Sequence, residues 1–142
     1  MSRVAVHAAV DVEATAEQVW RVLVDWTRHG EWVPFTRAEG GAAEGESVEA
    51  WTGVGPVGFV DVMVIDDWSP PNRVTVRHLG WLVRGEGRFD LVDLPGGRCR
   101  VTWAELVDLP LGPAGRAGWI AIGPFVRLML HTALRRLAKM FE

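Results

Sequence analysis

The strongest constraint on the fold is a change of hydrophobic period late in the chain. From Pro34 to Asp108 the sequence is a series of short runs rich in Val, Phe and Trp, interrupted by turn segments such as GVGP at 53–56 and PGG at 95–97. Beyond Pro113 the apolar residues recur at helical spacing. Strands joined in succession by tight turns pair antiparallel with their neighbours. The pattern therefore predicts an α+β fold, with a meander of strands followed by one long helix.

The residues before this meander predict one further strand and a helix. Residues 3 to 12 alternate strictly, with apolar residues at the even positions, as in a half-buried strand. Thr15 and Gln18 have the spacing of a capping box, which predicts a helix over residues 15 to 25. The strand runs that follow lie near residues 35 to 39, 47 to 53, 57 to 67, 73 to 81, 83 to 92 and 99 to 108. We therefore expect a sheet of about seven strands.

The terminal helix has an apolar side and a basic side. Its apolar stripe, which is predicted to pack in the core, consists of Phe125, Met129, Leu130, Ala133, Leu134, Leu137 and Phe141. The opposite side, which is expected in solvent, carries Arg127, His131, Arg135 and Lys139. The pair Gly123 and Pro124 leaves two alternatives open. Either the helix begins with Pro124 in its first turn, or a longer helix continues through it with a kink.

Length, charge and cysteine content narrow the class of protein. A chain of 142 residues, 49% of them hydrophobic, is expected to form one domain, residues 1–142. Its single cysteine, Cys99, rules out an intramolecular disulfide and favours the cytoplasm. A net charge of -3 without a concentrated basic stripe disfavours nucleic acid as a partner. Neither a signal peptide nor a run of ~20 apolar residues is recognised, so integral membrane association is not expected.

Three segments resemble the START-like SRPBCC superfamily, and most of all its bacterial polyketide cyclase/dehydrase group. They are residues 11–20 leading into Asp25 and Trp26, residues 68–73, and residues 130–137. The resemblance implies a helix-grip fold, in which two short helices follow the first strand, a curved antiparallel sheet wraps a long C-terminal helix, and a deep cavity lies between the sheet and that helix. Members carry lipids or quinones, bind hormones and polyketides, catalyse cyclisation or dehydration, or bind proteins. The resemblance therefore implies a cavity without selecting its use.

Three ionisable residues, Asp61, His78 and Glu105, interrupt strand faces that are otherwise apolar. A histidine and two carboxyl groups in an apolar cavity can transfer protons, because desolvation moves their pKa values towards neutrality. This predicts a catalytic site. Two alternatives stay open: each residue is a hydrogen-bonded structural or rim group, or the faces are inverted, since the valines around Asp61 form an equally apolar face.

The predicted ligand-binding residues are large apolar side chains and two inward glycines. Gly85 and Gly87 either make room for a guest or bend their strand. The complete set is Trp32, Trp51, Phe59, Met63, Trp81, Gly85, Gly87, Phe89, Trp103, Phe125 and Met129. Trp20, Trp26 and Trp68 are instead predicted to pack between helix and sheet.

The leading functional hypothesis is a protein that binds a hydrophobic small molecule, polyketide-like or lipid-like, without a cofactor. No metal site is predicted, because the four histidines are scattered, and no phosphate loop or dinucleotide fingerprint is present. One alternative is a cyclase or dehydratase in which Asp61, His78 and Glu105 move protons. Another is a protein-interaction module that uses the basic side of the terminal helix or the acidic first half of the chain. The oligomeric state is left open.

Overall fold

Within residues 2–80 and 83–142, which the computed structural model describes, the chain forms seven strands, two α-helices and one 3₁₀ helix. The strands are β1 (Ser2–Val12), β2 (Thr36–Gly40), β3 (Ser47–Val54), β4 (Val57–Ser69), β5 (Arg73–Leu79), β6 (Arg84–Leu94) and β7 (Arg98–Leu109). The helices are α1 (Ala16–Leu23), the 3₁₀ helix (Trp26–Glu31) and α2 (Pro113–Lys139). This order is the predicted one, and the α+β helix-grip fold is confirmed.

These strands form one antiparallel sheet in the order β1-β7-β6-β5-β4-β3-β2. From β2 to β7 each strand pairs with the next along the chain, as a meander requires. β1 pairs with β7, with Ser2 opposite Leu109 and Val12 opposite Cys99. The first strand therefore lies beside the last, and α2 packs across the inner face of the sheet at that end.

α1 begins at a capping box, as the spacing of Thr15 and Gln18 predicts. The Thr15 hydroxyl accepts the backbone N–H of Gln18 at 3.3 Å, and Oε1 of Gln18 accepts the backbone N–H of Thr15 at 2.9 Å. The buried side of α1 includes Trp20 and Leu23. Trp20 meets Trp68 of β4 edge-on, with ring centres 5.2 Å apart, so these two tryptophans join the helix to the sheet.

α2 is the longer of the two helices that the sequence allows. It starts with Pro113 in its first turn and continues through Pro124. Apart from Gly123, its buried residues all lie in the second half of the helix and are Leu130, Ala133, Leu134 and Leu137. The basic side is exposed, as predicted. Phe125, however, is 71% exposed, because the face that packs in the core begins only after it; its predicted place in the core is wrong.

α2 is also long and apolar enough to cross a membrane by length and composition alone. The sequence pattern did not lead us to expect this property. A core helix of a soluble protein meets the same criterion. Here the second half of α2 contributes to the core of the domain, together with residues of α1 and of the inner sheet face.

Candidate functional site

A cavity of about 590 Å³ lies between the inner face of the sheet and the first half of α2. Small-molecule sites commonly enclose about 300–1,000 Å³. The 3₁₀ helix and the segment after it form one wall, and the inner faces of β2 to β7 form a second. The third wall belongs to α2 and consists of Gly115, Gly118, Trp119, Ile122, Val126, Met129 and Leu130. Most lining residues are apolar, so the cavity suits an apolar guest.

An aromatic cluster forms part of the sheet wall. Phe89 and Trp103 face the cavity, with ring centres 4.9 Å apart. Trp32 lies against them at 6.0 and 6.1 Å, and its ring centre is 4.8 Å from that of His29. Trp32 is fully buried and does not line the cavity. Trp32 therefore packs against Phe89 and Trp103 on the side that faces the core.

Asp61, His78 and Glu105 meet in the wall of the cavity as one hydrogen-bonded cluster. Nδ1 of His78 lies 3.0 and 2.9 Å from the two carboxylate oxygens of Asp61. Nε2 of His78 lies 3.0 Å from Oε2 of Glu105, and the Trp103 indole N–H donates to Oε1 of Glu105 at 3.1 Å. All three charged side chains are largely buried. We call these three residues the acid–histidine cluster.

Strand register explains how residues so far apart in sequence converge. Met63 lies opposite His78 in the β4–β5 pair, and Asp61 shares the face of Met63 because successive side chains of a strand alternate. Glu105 of β7 lies opposite Gly87 of β6. A Cβ at Gly87 would stand 2.9 Å from both carboxylate oxygens of Glu105. Because Gly87 has no side chain, the Glu105 carboxylate can extend across β6 and reach His78 of β5.

The cluster holds His78 in its charged form. Burial alone lowers the pKa of His78, but the hydrogen bonds and charges of Asp61 and Glu105 outweigh it and raise that pKa to about 10. At neutral pH both ring nitrogens therefore carry protons, one donated to each carboxylate. A histidine in this state cannot serve as a general base. The groups able to accept a proton or a hydrogen bond from a guest are the carboxylates.

The other titratable groups of the wall are His29 and Asp108. Burial lowers the pKa of His29 to about 4, so its ring is neutral at pH 7; Nε2 donates to the backbone carbonyl of Leu23 at 2.8 Å. Asp108 lies 2.7 Å from the guanidinium of Arg3, whose hydrogen bond lowers the pKa of the carboxyl. Neither group contacts the acid–histidine cluster through a hydrogen bond.

The predicted ligand-binding residues divide into those that line the cavity and those that do not. Phe59, Met63, Gly87, Phe89, Trp103 and Met129 line it, together with Asp61, His78 and Glu105. Trp32, Trp51, Gly85 and Phe125 lie outside the lining. Trp81 falls outside the described residues.

Trp51 and Gly85 lie outside the cavity lining for different physical reasons. Trp51 lies on the outer sheet face, between inward Ala50 and Thr52, and stacks under the guanidinium of Arg37 at 4.8 Å. Gly85 has φ of 126°, and a Cβ there would collide with the backbone carbonyl of Leu106. The backbone conformation therefore requires glycine at this position, and Gly85 does not make room for a guest.

Phe125 points away from the cavity. Successive residues of a helix differ by about 100° in direction, and its neighbour Val126 faces in.

Several lining residues were not predicted as such. Trp26, which is predicted to pack between helix and sheet, and His29, for which no role is predicted, both face the cavity from the 3₁₀ helix. Trp119 and Ile122 lie on α2 before Pro124. Their spacing continues the helical period of Val126 and Met129 backwards, which is the signal that could have identified them.

No three His, Cys, Asp or Glu side chains within residues 2–80 and 83–142 are arranged to hold a metal ion. In the acid–histidine cluster, the two carboxylates bind opposite nitrogens of the imidazole and so do not converge on one point.

Solved structures share this architecture at low sequence identity. A protein from Thermus thermophilus superposes with a TM-score of 0.79 at 17% identity, covering 96% of this chain and 95% of that one. The ZhuI aromatase/cyclase of Streptomyces sp. R1128 gives 0.75 at 18% identity, with coverage of 96% and 94%. Thalictrum flavum norcoclaurine synthase gives 0.68 at 14% identity, with coverage of 99% and 94%. These likenesses concern the fold alone.

Sequence comparison adds the family. No curated protein matches the chain significantly. The family model described as polyketide cyclase/dehydrase and lipid transport matches residues 3–142, almost the whole chain. Together with the helix-grip fold and its cavity, this match shows that the chain belongs to the polyketide cyclase/dehydrase and lipid transport family.

Proposed function

We propose that this protein binds an apolar, ring-containing small molecule in the cavity between the sheet and α2. The observation that carries the proposal is the cavity itself, about 590 Å³ in volume and lined mainly by apolar and aromatic side chains. Removing such a guest from water is favourable by roughly 25 cal/mol per Å² of apolar surface. The rings of Phe89 and Trp103, whose planes are tilted 37° to each other, offer an aromatic wall for a ring-containing guest.

Filling the cavity from α2 tests this proposal. Gly118 lines the cavity, and a Cβ at this position meets no atom within 4 Å, so Gly118→Phe places a ring there without a backbone clash. Ala117→Phe is the matched control, because Ala117 is exposed on the same turn and does not line the cavity. Both variants keep helix-compatible residues.

The probe is N-phenyl-α-naphthylamine, whose emission rises in an apolar environment. We expect saturable, one-to-one binding by the wild type and by Ala117→Phe, and at least about tenfold weaker binding by Gly118→Phe, since the added ring occupies the guest's volume. A folded wild type that leaves the emission unchanged contradicts the proposal. Equal binding by Gly118→Phe would show that the probe binds outside the cavity, which also contradicts the proposal.

The acid–histidine cluster favours a second function, a cyclase- or dehydratase-type enzyme. In the elimination of water from a β-hydroxy ketone, a carboxylate of Asp61 or Glu105 would take the proton next to the ketone. The C–O bond then breaks, and hydroxide leaves as water with the proton that the carboxylate returns. His78 would act as a positioning residue, because its N–H groups hold both carboxylates in place.

Elimination from a naphthyl-substituted β-hydroxy ketone, followed by the absorbance of the conjugated enone, tests the second function. Asp61→Asn combined with Glu105→Gln removes both bases while preserving side-chain shape. General acid–base catalysis is worth about 10²–10⁴-fold, so the catalysed rate should fall by at least about 10²-fold. A wild type that binds the ketone yet forms enone no faster than buffer is a binding protein only.

A further inference from the structure

We infer that the cavity selects guests that are uncharged or cationic and end in a hydrogen-bond donor, such as a phenol, an alcohol or an ammonium group, and that it rejects anions such as carboxylates. This inference rests on the proposed binding function and specifies its ligand class. The guest's donor would meet the carboxylates of Asp61 and Glu105, while its apolar rings contact Phe89 and Trp103.

The ionisable groups that line the cavity carry a net negative charge. With both carboxylates ionised, the acid–histidine cluster sums to one negative charge when His78 is protonated and to two when it is not. The sign is therefore the same in either state of the ring. Among the lining residues in the described part of the chain, none is Lys or Arg. The other ionisable lining groups do not reverse this sign, since His29 is neutral and Asp108 is paired with Arg3.

The acid–histidine cluster can accept hydrogen bonds from a guest but has no free donor to offer one. Both N–H groups of a protonated His78 are directed at the carboxylates, and the Trp103 N–H is used by Glu105. The cluster thus has no donor to spare for an anionic guest. Each carboxylate oxygen has about two lone-pair sites, and the hydrogen bonds from His78 and Trp103 leave at least one site free on each carboxylate. A buried anion brought beside these oxygens would be both desolvated and repelled.

A set of guests with one ring system and different end groups tests the inference. Methylnaphthalene, naphthol, naphthylmethylammonium and naphthoate, all substituted at the same ring position, are titrated at pH 7 as competitors of N-phenyl-α-naphthylamine. The apolar contact is nearly constant in this series. We expect naphthol and the ammonium to bind more tightly than methylnaphthalene, and naphthoate to bind at least about tenfold more weakly.

The double variant Asp61→Asn with Glu105→Gln removes the charge but keeps a satisfied network. With a neutral His78, the amide introduced at position 61 can accept from Nδ1. The amide introduced at position 105 can donate to Nε2 while its oxygen accepts from Trp103. Glu44→Gln is the control, because this exposed carboxylate lies outside the lining and its loss changes the net charge by one unit, as the cluster variant with its neutral His78 does. The ratio of naphthoate to ammonium dissociation constants should fall at least about tenfold in the cluster variant and stay unchanged in the control.

The outcomes separate the inference from the proposed function. Wild-type protein that binds methylnaphthalene and naphthoate equally well refutes charge selection but leaves the binding function standing. The wild-type series decides this point even if the cluster variant does not fold. A selectivity ratio that survives in a folded cluster variant assigns the discrimination to other residues and overturns the inference. Failure of every guest, methylnaphthalene included, overturns both proposals.

Discussion

Raising the pH should weaken the fold through a single side chain, His78. The unfolded chain releases this proton near the ordinary histidine pKa of 6.5, whereas the folded protein retains it up to about 10. In between, only the folded state binds the proton, so the stabilisation is complete below pH 6.5 and is lost as the pH rises towards 10. The free energy of unfolding should therefore fall by about 1.4 kcal/mol per pH unit, and by about 5 kcal/mol in all.

The composition makes this slope unusually easy to isolate. The chain has no tyrosine, Lys139 is its single lysine, and Cys99 is its single cysteine. Burial raises the pKa of the Cys99 thiol from 9.0 to about 11, so its own destabilising effect begins only near pH 9. Between about pH 7 and 8.5, His78 dominates the pH dependence.

Urea unfolding followed by tryptophan emission at three pH values in this window measures the slope. The reference is Asp61→Asn with Glu105→Gln, in which His78 has lost both charged partners and should titrate below its ordinary pKa, because burial then acts alone. The wild type should lose about 2 kcal/mol from pH 7 to 8.5, while the reference stays level. A flat wild-type profile, or an equal slope in the reference, refutes the assignment of a retained proton to His78.

Three further changes probe other parts of the structure by urea unfolding. Burial lowers the pKa of His29 to about 4, so the wild type should lose about 3 kcal/mol relative to His29→Gln as the pH falls from 6.5 to 4; parallel profiles would exclude a buried neutral ring. Gly87→Ala places a Cβ 2.9 Å from the Glu105 carboxylate, and should cost about 1–3 kcal/mol and depress the His78 pKa seen by NMR; an unchanged pKa would mean that the carboxylate has other room. Leu134→Ala should cost about 2–5 kcal/mol because the side chain is fully buried, whereas Ile120→Ala should change stability by less than about 0.5 kcal/mol; comparable losses would show that both halves of α2 are packed.

Alternation along strands predicted the cluster members but not their bridging geometry. Asp61, His78 and Glu105 each interrupt an apolar face, although for Asp61 the opposite face of the strand is equally apolar. The distances between the three side chains depend on how neighbouring strands are aligned and on the space that Gly87 leaves for the Glu105 carboxylate. Both are properties of paired strands, which the sequence of one strand does not give. The raised pKa of His78 follows from that geometry, and it favours the alternative in which this histidine is a hydrogen-bonded structural group rather than a base.

Trp51 and the terminal helix show two different reasons for wrong predictions. Trp51 is predicted in the cavity because it is large and apolar, yet it shares its strand face with Ser47, Glu49 and Gly53, so the alternation itself indicates that it faces outwards. The predicted apolar stripe of α2 extends to Phe125, although only the second half of the helix lies in the core. How far a helix overlaps its sheet is a property of the packed fold, and periodicity alone cannot supply it.

The pairing of β1 with β7 also affects how the chain reaches its fold. Arg3 and Asp108, which form an ion pair across these strands, are 105 positions apart. Contacts of such sequence separation slow folding, because a long loop must close before any of them forms. During synthesis the apolar face of β1, with Val6 and Ala8, leaves the ribosome long before β7 and α2 exist to cover it. The newly made chain therefore completes its core late, when β7 and α2 close over the first strand, and until then the apolar face of β1 stays exposed.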